Sequence, residues 1–317
     1  MVPSSNTGAS HRSYVIRLAQ VAVIGIIIWV WYRALRGQWT HLVAYPWRVA
    51  WGYLLISLVA LLSQMGVLAV AWARILNHMG ATIPLHAGAA MWLQAQIARY
   101  LPGSVWDIVG RAALGRRHAV PLRAVPTGAM LEAALQVTSA ALVLLLTLVI
   151  FPSPTTRPYL VWTALGLAGV MVLTLPPIFQ RWVHVGLRLF KRTPLPIQLH
   201  WRDLGTLLGL YMLAHALQGS AFVLFTRGIT HLPWQEMPLI AGSYIGAWLI
   251  GYIALFAPTG IGIREGAFVI LLADRISFPA AAGAVLGFRV WLTLRDLLAA
   301  LLGLLLAHLF PPAQSAH

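Results

Sequence analysis

Nine charged side chains lie within long apolar stretches of this sequence, where a charge is costly to place. They are Arg99, Asp107, Arg111, Glu132, Arg264, Glu265, Arg289, Arg295 and Asp296. A charge at the centre of a bilayer costs about 2.5–3.5 kcal/mol on insertion scales, so such groups persist mainly where they pair or line a polar cavity. Arginines in such a place can bind an anion, above all a phosphate, and carboxylates can neutralise the same arginines when no anion is bound.

The first group of charges surrounds a predicted break in a helix, at Pro102-Gly103. A helix that begins after this pair has free first-turn amides and a positive dipole end, so together with Arg99 it predicts an anion pocket. Asp107 and Arg111 stand four residues apart on that helix and can pair. In the structural alternative, Arg99 only caps a carbonyl group and the Asp107–Arg111 pair only braces the helix.

The second group follows a matching break, in which Pro258, Gly260 and Gly262 interrupt an apolar run before Arg264 and Glu265. The glycines allow close approach of a ligand to the backbone. A dinucleotide site is not supported, because the spacing is not G-x-G-x-x-G and no strand precedes it. Adjacent residues face different sides of a helix, so we expect Arg264 and Glu265 to have separate partners.

Glu132 and Arg289 occupy equivalent places in the two halves of the chain and are predicted to pair with each other. Such a pair is either structural or a lock that a phosphate headgroup opens. Arg295 and Asp296 are expected near a membrane interface, and the basic cluster 116–118 is expected to touch anionic lipid. His215 and Gln218, midway along another apolar segment, are expected to hydrogen-bond to neighbouring helices.

The composition identifies the class of protein. Of 317 residues, 60% are hydrophobic and 9% charged, whereas a soluble domain has about a quarter charged residues. The formal charge of +15 therefore does not indicate nucleic-acid binding, and the apolar content excludes disorder. The sequence has no Cys, no P-loop motif and no H-E-x-x-H, so we expect no disulfide, metal site or cofactor.

The elements that must position these charges are long apolar helices, which predict an all-α polytopic membrane protein. About six full spans are expected, at 14–31, 49–72, 122–150, 159–179, 204–226 and 279–310. The stretches 85–117 and 237–275 are broken by Pro and Gly and predict pairs of shorter, re-entrant helices, or eight spans if they cross. A signal peptide at 14–31 is disfavoured, because Trp29 and Trp31 stand where small cleavage-site residues are needed.

The two halves of the sequence repeat each other weakly, in order and at a nearly constant offset. The equivalent pairs are Arg74 and Arg227, His78 and His231, Trp92 and Trp248, and Pro102 and Pro258. We therefore predict one domain over 1–317 that contains a repeat at about 49–150 and a second at about 204–310. Chance among frequent residues is the alternative explanation. A cytoplasmic N-terminus places twice as many basic residues inside as outside, and it makes the two repeats inverted.

Two segments resemble the signatures of a known family. Arg99-Tyr-Leu-Pro-Gly-Ser-Val-Trp106, Arg111 and Glu132 resemble the first signature of the lysylphosphatidylglycerol synthase transmembrane-region family. Pro258-Thr-Gly-Ile-Gly-Ile-Arg-Glu-Gly266 and Arg289 resemble its second. The resemblance implies a flippase-like fold and transport of aminoacylated phosphatidylglycerol, polyprenyl-phosphate or hopanoid lipids. The soluble synthase domain of the bifunctional members has no counterpart here, so we expect a transporter and no synthase activity.

We therefore expect a lipid flippase of the plasma membrane that holds a phosphate among four arginines, with three acidic residues as counter-ions. The arginines are Arg99, Arg111, Arg264 and Arg289, and the acids are Asp107, Glu132 and Glu265. Alternatives are a non-catalytic lipid-binding subunit of a separate lipid-modifying enzyme and a polyprenyl-phosphate-dependent transferase. The transferase is disfavoured because the predicted outer loop 33–48 has no acidic residue. Anionic lipids are the expected partners, nucleic acid is not, and a homo-oligomer stays open.

Overall fold

The computed structural model describes residues 32, 36, 39–41, 43–100, 106–152, 157–189, 196–254, 262–272 and 275–310, with only the backbone of Arg99. From residue 51 onward this part of the chain forms ten α-helices and contains no strand. They are α1 (Trp51–His78), α2 (Leu85–Ala95), α3 (Trp106–Gly115), α4 (Ala124–Ile150), α5 (Tyr159–Thr174), α6 (Pro176–Leu189), α7 (Trp201–Ile229), α8 (Met237–Ile253), α9 (Ile263–Leu271) and α10 (Phe278–Leu309). The prediction of an all-α fold is confirmed.

Four helices are long and apolar enough to cross a membrane. These are α1 with 28 residues, α4 with 27, α7 with 29 and α10 with 32. At 1.5 Å per residue each exceeds the roughly 30 Å of a hydrocarbon core. A fifth candidate is the bent pair α5 and α6. The protein is therefore a membrane protein with four to five candidate spans among the described residues, and the predicted span at 14–31 lies outside them.

The predicted span at 159–179 differs from the structure. The helix ends at Thr174, and α6 begins at Pro176 after a bend of 71°. Two consecutive prolines, Pro176 and Pro177, explain the bend, because proline removes a backbone donor and disfavours a helical conformation in the residue before it. After the bend, α6 runs in a different direction from α5. It contains Arg181 and Arg188, which are both exposed.

Both stretches that the sequence predicts to be broken consist of two short helices. The first contains α2, a 3₁₀-helix at Gln96–Tyr100 and then α3, and the second contains α8 and α9. The break residues Pro102, Gly103, Pro258 and Gly260 lie outside the described residues. With 10 and 9 residues, α3 and α9 reach only about 15 Å each, half the thickness of the hydrocarbon core.

The core is built around α1 and α7, which pack against each other more extensively than any other pair of described helices. One apolar cluster surrounds Trp72 and Met79, at the end of α1. The other surrounds Phe222, whose ring stacks on Tyr244 at 4.1 Å between centroids and meets Phe288 edge-on at 5.0 Å. These contacts join α7, α8 and α10.

Candidate functional site

The first charged cluster joins the helix after the first break to the long helix that follows it. Arg111 of α3 donates from Nη2 to Oδ2 of Asp107 at 2.6 Å, one turn away, and from Nη1 to Oε2 of Glu132 on α4. Trp92 of α2 donates from Nε1 to the other carboxylate oxygen of Glu132, at 2.8 Å. The Arg111 guanidinium also lies over the Trp72 ring, 4.4 Å from its centroid. We call these five residues the N-terminal cluster.

This cluster holds its arginine tightly. The predicted pair of Asp107 and Arg111 is confirmed, and Arg111 is only 4% exposed. Both terminal nitrogens of Arg111 are engaged by carboxylates, and an aromatic ring covers the guanidinium face. A phosphate could reach the terminal nitrogens of Arg111 only by displacing Glu132, which is buried, or Asp107, whose side chain is 21% exposed. The N-terminal cluster has two carboxylates for one guanidinium, a formal charge of −1.

The second charged cluster is organised around one buried carboxylate. Glu265 is only 2% exposed. Its Oε2 accepts a hydrogen bond from the backbone N–H of Gly262 at 2.6 Å and thereby caps the start of α9. Glu265 also accepts hydrogen bonds from Nη2 of Arg264 at 3.3 Å and from Nη1 of Arg289 on α10. The Arg264 guanidinium lies 5.9 Å from the centroid of the Tyr244 ring. Gly262, Arg264, Glu265 and Arg289 form the C-terminal cluster.

The expectation of separate partners for Arg264 and Glu265 is wrong, since the two side chains contact each other. The carboxylate of Glu265 turns back toward the start of α9 to cap Gly262, and this brings it within reach of its neighbour. Gly262 has φ +81°, a backbone conformation that residues with a side chain rarely adopt. A glycine three residues before Glu265 is therefore the local cause of this geometry.

The predicted pair of Glu132 and Arg289 is also wrong. Each of these residues pairs with a group on the short helix that precedes its own long helix, Glu132 with Arg111 and Arg289 with Glu265. The order of the charges is reversed between the two pairs, since the arginine comes first in one and the acid first in the other. The short helix packs directly on the long helix next to it, so the local partner is closer.

The two clusters differ in formal charge. The N-terminal cluster carries −1, whereas the C-terminal cluster has two guanidinium groups for one carboxylate, a charge of +1 among the described residues. The side chain of Arg289 is 26% exposed, in contrast to its buried partner Glu265. Nε lacks a hydrogen-bond partner in both Arg111 and Arg264 among the described residues, so the two clusters differ in charge and exposure and not in unpaired donors. An anion is therefore accommodated better at the C-terminal cluster than at the N-terminal one.

A third cluster lies midway along the long helices. Arg295 donates from Nε and Nη2 to Oδ1 of Asp296 at 2.9 and 2.6 Å, and from Nη1 to Oε1 of Gln64 on α1 at 3.1 Å. The hydroxyl of Tyr100 donates to Oδ2 of Asp296 at 2.9 Å. Gln64 in turn contacts Gln218 on α7, with 3.4 Å between Nε2 and Oε1. These five residues are the central cluster.

The expected position of Arg295 and Asp296 near an interface is wrong. They lie midway along α10 and are 6% and 3% exposed. Because α1, α7 and α10 meet there, two uncharged glutamines and a tyrosine supply partners that charge spacing alone does not reveal. The expectation for His215 is confirmed, since its Nε2 lies 3.3 Å from the carbonyl oxygen of Gln136 on α4.

The sequence reasoning missed several residues that hold the charged groups. They are the ring of Trp72 beneath Arg111, the donors Trp92 and Tyr100, and the helix-centre glutamine Gln64. One of these residues could have been found from the sequence. Gln64 is an uncharged polar residue in the middle of the apolar helix α1, and such a residue indicates a hydrogen bond to a neighbouring helix. Arg99 has only its backbone described, in the 3₁₀-helix next to Tyr100, so its predicted role in anion binding stays a prediction.

No family model matches the chain, and no curated protein matches it either. The resemblance to the lysylphosphatidylglycerol synthase transmembrane region therefore stays a prediction carried by the two segments quoted above. Among the described residues, no group of three or more His, Cys, Asp or Glu is placed to hold a metal ion.

Proposed function

We propose that the protein moves a phosphate-bearing amphiphile between the leaflets of the plasma membrane. The class of substrate is an anionic or aminoacylated phospholipid or a polyprenyl-phosphate-linked lipid. The observation that supports this proposal most directly is the C-terminal cluster, where two arginines share one buried carboxylate and Arg289 is partly exposed. Guanidinium groups bind phosphate through charge-assisted, often bidentate hydrogen bonds.

The architecture that we propose is an inverted repeat with a cytoplasmic N-terminus. The series α1 to α4 and the series α7 to α10 both run long, short, short, long. Because α3 and α9 are too short to cross the membrane, we take each broken stretch as a re-entrant pair. The four long helices, the span formed with α5 and the predicted span at 14–31 then make six full crossings. Inverted repeats with broken helices are a recurrent transporter design.

In the proposed mechanism, the phosphate binds Arg289 and Arg264 and competes with Glu265 for them. Glu265 keeps the amide of Gly262 as a hydrogen-bond donor when it gives up an arginine, so its buried carboxylate is not left without a partner. The acyl or prenyl chains stay in the bilayer while the headgroup passes between the helices. The predicted ligand Arg99 and the central cluster would then offer the next polar groups along the path.

The proposal is tested by lipid translocation in liposomes that contain only the purified protein. A phosphatidylglycerol with a fluorescent acyl chain is followed with a membrane-impermeant quencher. We expect Arg289→Gln to slow translocation by about tenfold or more, because it removes a charged hydrogen bond to the phosphate. Arg289→Lys keeps the charge and should retain part of the rate. Arg275→Gln changes an exposed arginine outside the clusters and serves as the matched control.

Transport by Arg289→Gln at the wild-type rate would overturn the proposed site. Each variant is compared with the wild-type protein in thermal unfolding and gel filtration, so that a folding defect is not mistaken for a loss of transport. If the wild-type protein binds phosphatidylglycerol but does not translocate it, the flippase proposal fails. The expected alternative, a lipid-binding subunit of a separate enzyme, would then take its place.

A further inference from the structure

A pocket of about 90 Å³ opens where α2 begins and where α3 and α10 end. Three basic side chains line it, His86 from α2 and Arg117 and His118 from the 3₁₀-helix that follows α3. Apolar residues form the rest of the wall, among them Met91 and Leu306. No Asp or Glu is among the lining residues that the structure describes. The pocket therefore combines a basic rim with an apolar floor.

The walls of the pocket are held by close helix packing. Gln94 of α2 donates from Nε2 to the carbonyl oxygen of Gly303 on α10, at 3.1 Å. At Gly303 the two helices approach so closely that an added Cβ would lie 2.8 Å from the Cβ of Leu93. At the pocket mouth, the His86 ring lies 4.8 Å from the ring of Phe310. The pocket is thus a built feature of the α2–α10 contact.

The electrostatics of the pocket favour a negatively charged occupant. Burial is the main cause that lowers the pKa of His118, and the neighbouring charges of His86 and Arg117 lower it further. An anion in the pocket would offset the repulsion between these groups and would accept hydrogen bonds from each of them. The third wall, from α10, contributes Leu306, Ala307 and Phe310, none of which can ionise.

We propose that this pocket is a second anion site, which binds a phosphate group through Arg117, His118 and His86. It is distinct from the C-terminal cluster, because Leu306 lies 17 residues beyond Arg289, about 25 Å along α10. The proposal therefore does not depend on transport through that cluster. The phosphate is carried either by a lipid headgroup, whose chains would meet the apolar floor, or by a soluble molecule.

The test compares ligand binding by three variants of the full chain in detergent. Native mass spectrometry measures retention of phosphatidylglycerol, with phosphatidylcholine as the zwitterionic comparison. A second arm adds inorganic phosphate and records the change in thermal unfolding temperature. The variants are Arg117→Gln, His118→Gln and, as the matched control, Arg116→Gln. Arg116 is also exposed and adjoins Arg117 in the same 3₁₀-helix, but it does not line the pocket.

We expect Arg117→Gln and His118→Gln to weaken binding by about tenfold each, whereas Arg116→Gln leaves binding unchanged. Arg117→Gln removes a charged donor, and His118→Gln removes an imidazole donor that the bound anion favours in its protonated form. Loss of phosphatidylglycerol retention with no response to inorganic phosphate identifies a lipid headgroup as the ligand. A response to inorganic phosphate that the same variants abolish identifies a soluble one. Binding should tighten as the pH falls, because the anion favours protonated imidazole.

Equal effects of Arg117→Gln and Arg116→Gln would overturn the proposal, since they would indicate only a general attraction between surface charge and lipid. Absence of any response in both arms would overturn it as well. The unfolding temperature without added ligand serves as the folding check for each variant. Because Arg117 is exposed, its replacement should leave that temperature close to the wild-type value.

Discussion

Each buried charge described in this protein is satisfied by a neighbour. Arg111 has its partners on α3 and α4, while Glu265 has its partners on α9 and α10. The cost of a single charge in an apolar environment explains why the arginines and carboxylates come in groups. This cost does not decide which cluster can accept a ligand. The net formal charge of each cluster decides it, and of the N-terminal and C-terminal clusters only the C-terminal one is positive.

Replacement of Arg111 by Met should destabilise the protein more than any exposed arginine does. The buried carboxylate of Glu132 and the partly exposed carboxylate of Asp107 would lose their shared partner, and breaking a buried ion pair costs about 3–5 kcal/mol. Thermal unfolding of the purified protein in detergent measures the effect. Arg116→Met, on an exposed neighbour, should change stability by only about 0.5 kcal/mol. Similar unfolding temperatures for the two variants would contradict the pairing described for Arg111.

The hydrogen bond from Trp92 to Glu132 should be visible as an energetic coupling. Trp92→Phe leaves one carboxylate oxygen without its donor, which costs about 1–3 kcal/mol in a buried place. A double-mutant cycle with Glu132→Met, which removes both acceptor oxygens, separates this bond from the loss of ring volume. We expect a coupling energy above about 0.5 kcal/mol, measured by chemical unfolding. Additive effects of the two changes would show that the bond contributes nothing.

At the scale of helices, the architecture depends on where helices stop. The breaks divide two apolar stretches into the pairs α2–α3 and α8–α9, and two prolines turn α6 by 71° from α5. Short helices can then carry charged residues into the interior, because their ends meet the middle of the long helices. Close packing between α2 and α10 is part of the same arrangement, and it rests on Gly303.

A methyl group at Gly303 should loosen the contact between α2 and α10. The added Cβ would lie 2.9 Å from the backbone nitrogen of Gln94, which cannot move away as a flexible side chain can. We expect Gly303→Ala to destabilise the protein by about 1–3 kcal/mol in thermal unfolding. Gly209→Ala on α7 is the matched control, because nothing lies within 4 Å of its added Cβ. That helical change should be neutral or stabilise by up to about 1 kcal/mol.

At the scale of the whole molecule, the proposed inverted topology places the two halves in opposite orientations. The chain has no Cys, so a single introduced Cys reports on its own position without background. Arg116 and His231 are both exposed at helix ends and fall on opposite sides of the membrane in this topology. The basic residues around Arg116 are expected to be cytoplasmic.

Labelling with a membrane-impermeant maleimide in intact cells tests this topology. His231→Cys should react from outside, whereas Arg116→Cys should react only after the membrane is permeabilised. The reverse result would invert the proposed orientation, and labelling of both from the same side would contradict the inverted repeats. Neither variant changes an arginine that is proposed to bind phosphate, so this outcome is independent of the transport assay.

The sequence by itself determined the class of the protein, its all-α structure, four of its long apolar helices and the two stretches that are divided into shorter helices. Run length, apolar content and proline position are local properties, and they act the same way whatever the chain packs against. Only the tertiary structure decided which charges pair. Glu132 pairs with Arg111 and not with Arg289, and Asp296 accepts a hydrogen bond from Tyr100. The partner of each charged side chain depends on which faces of different helices pack against each other.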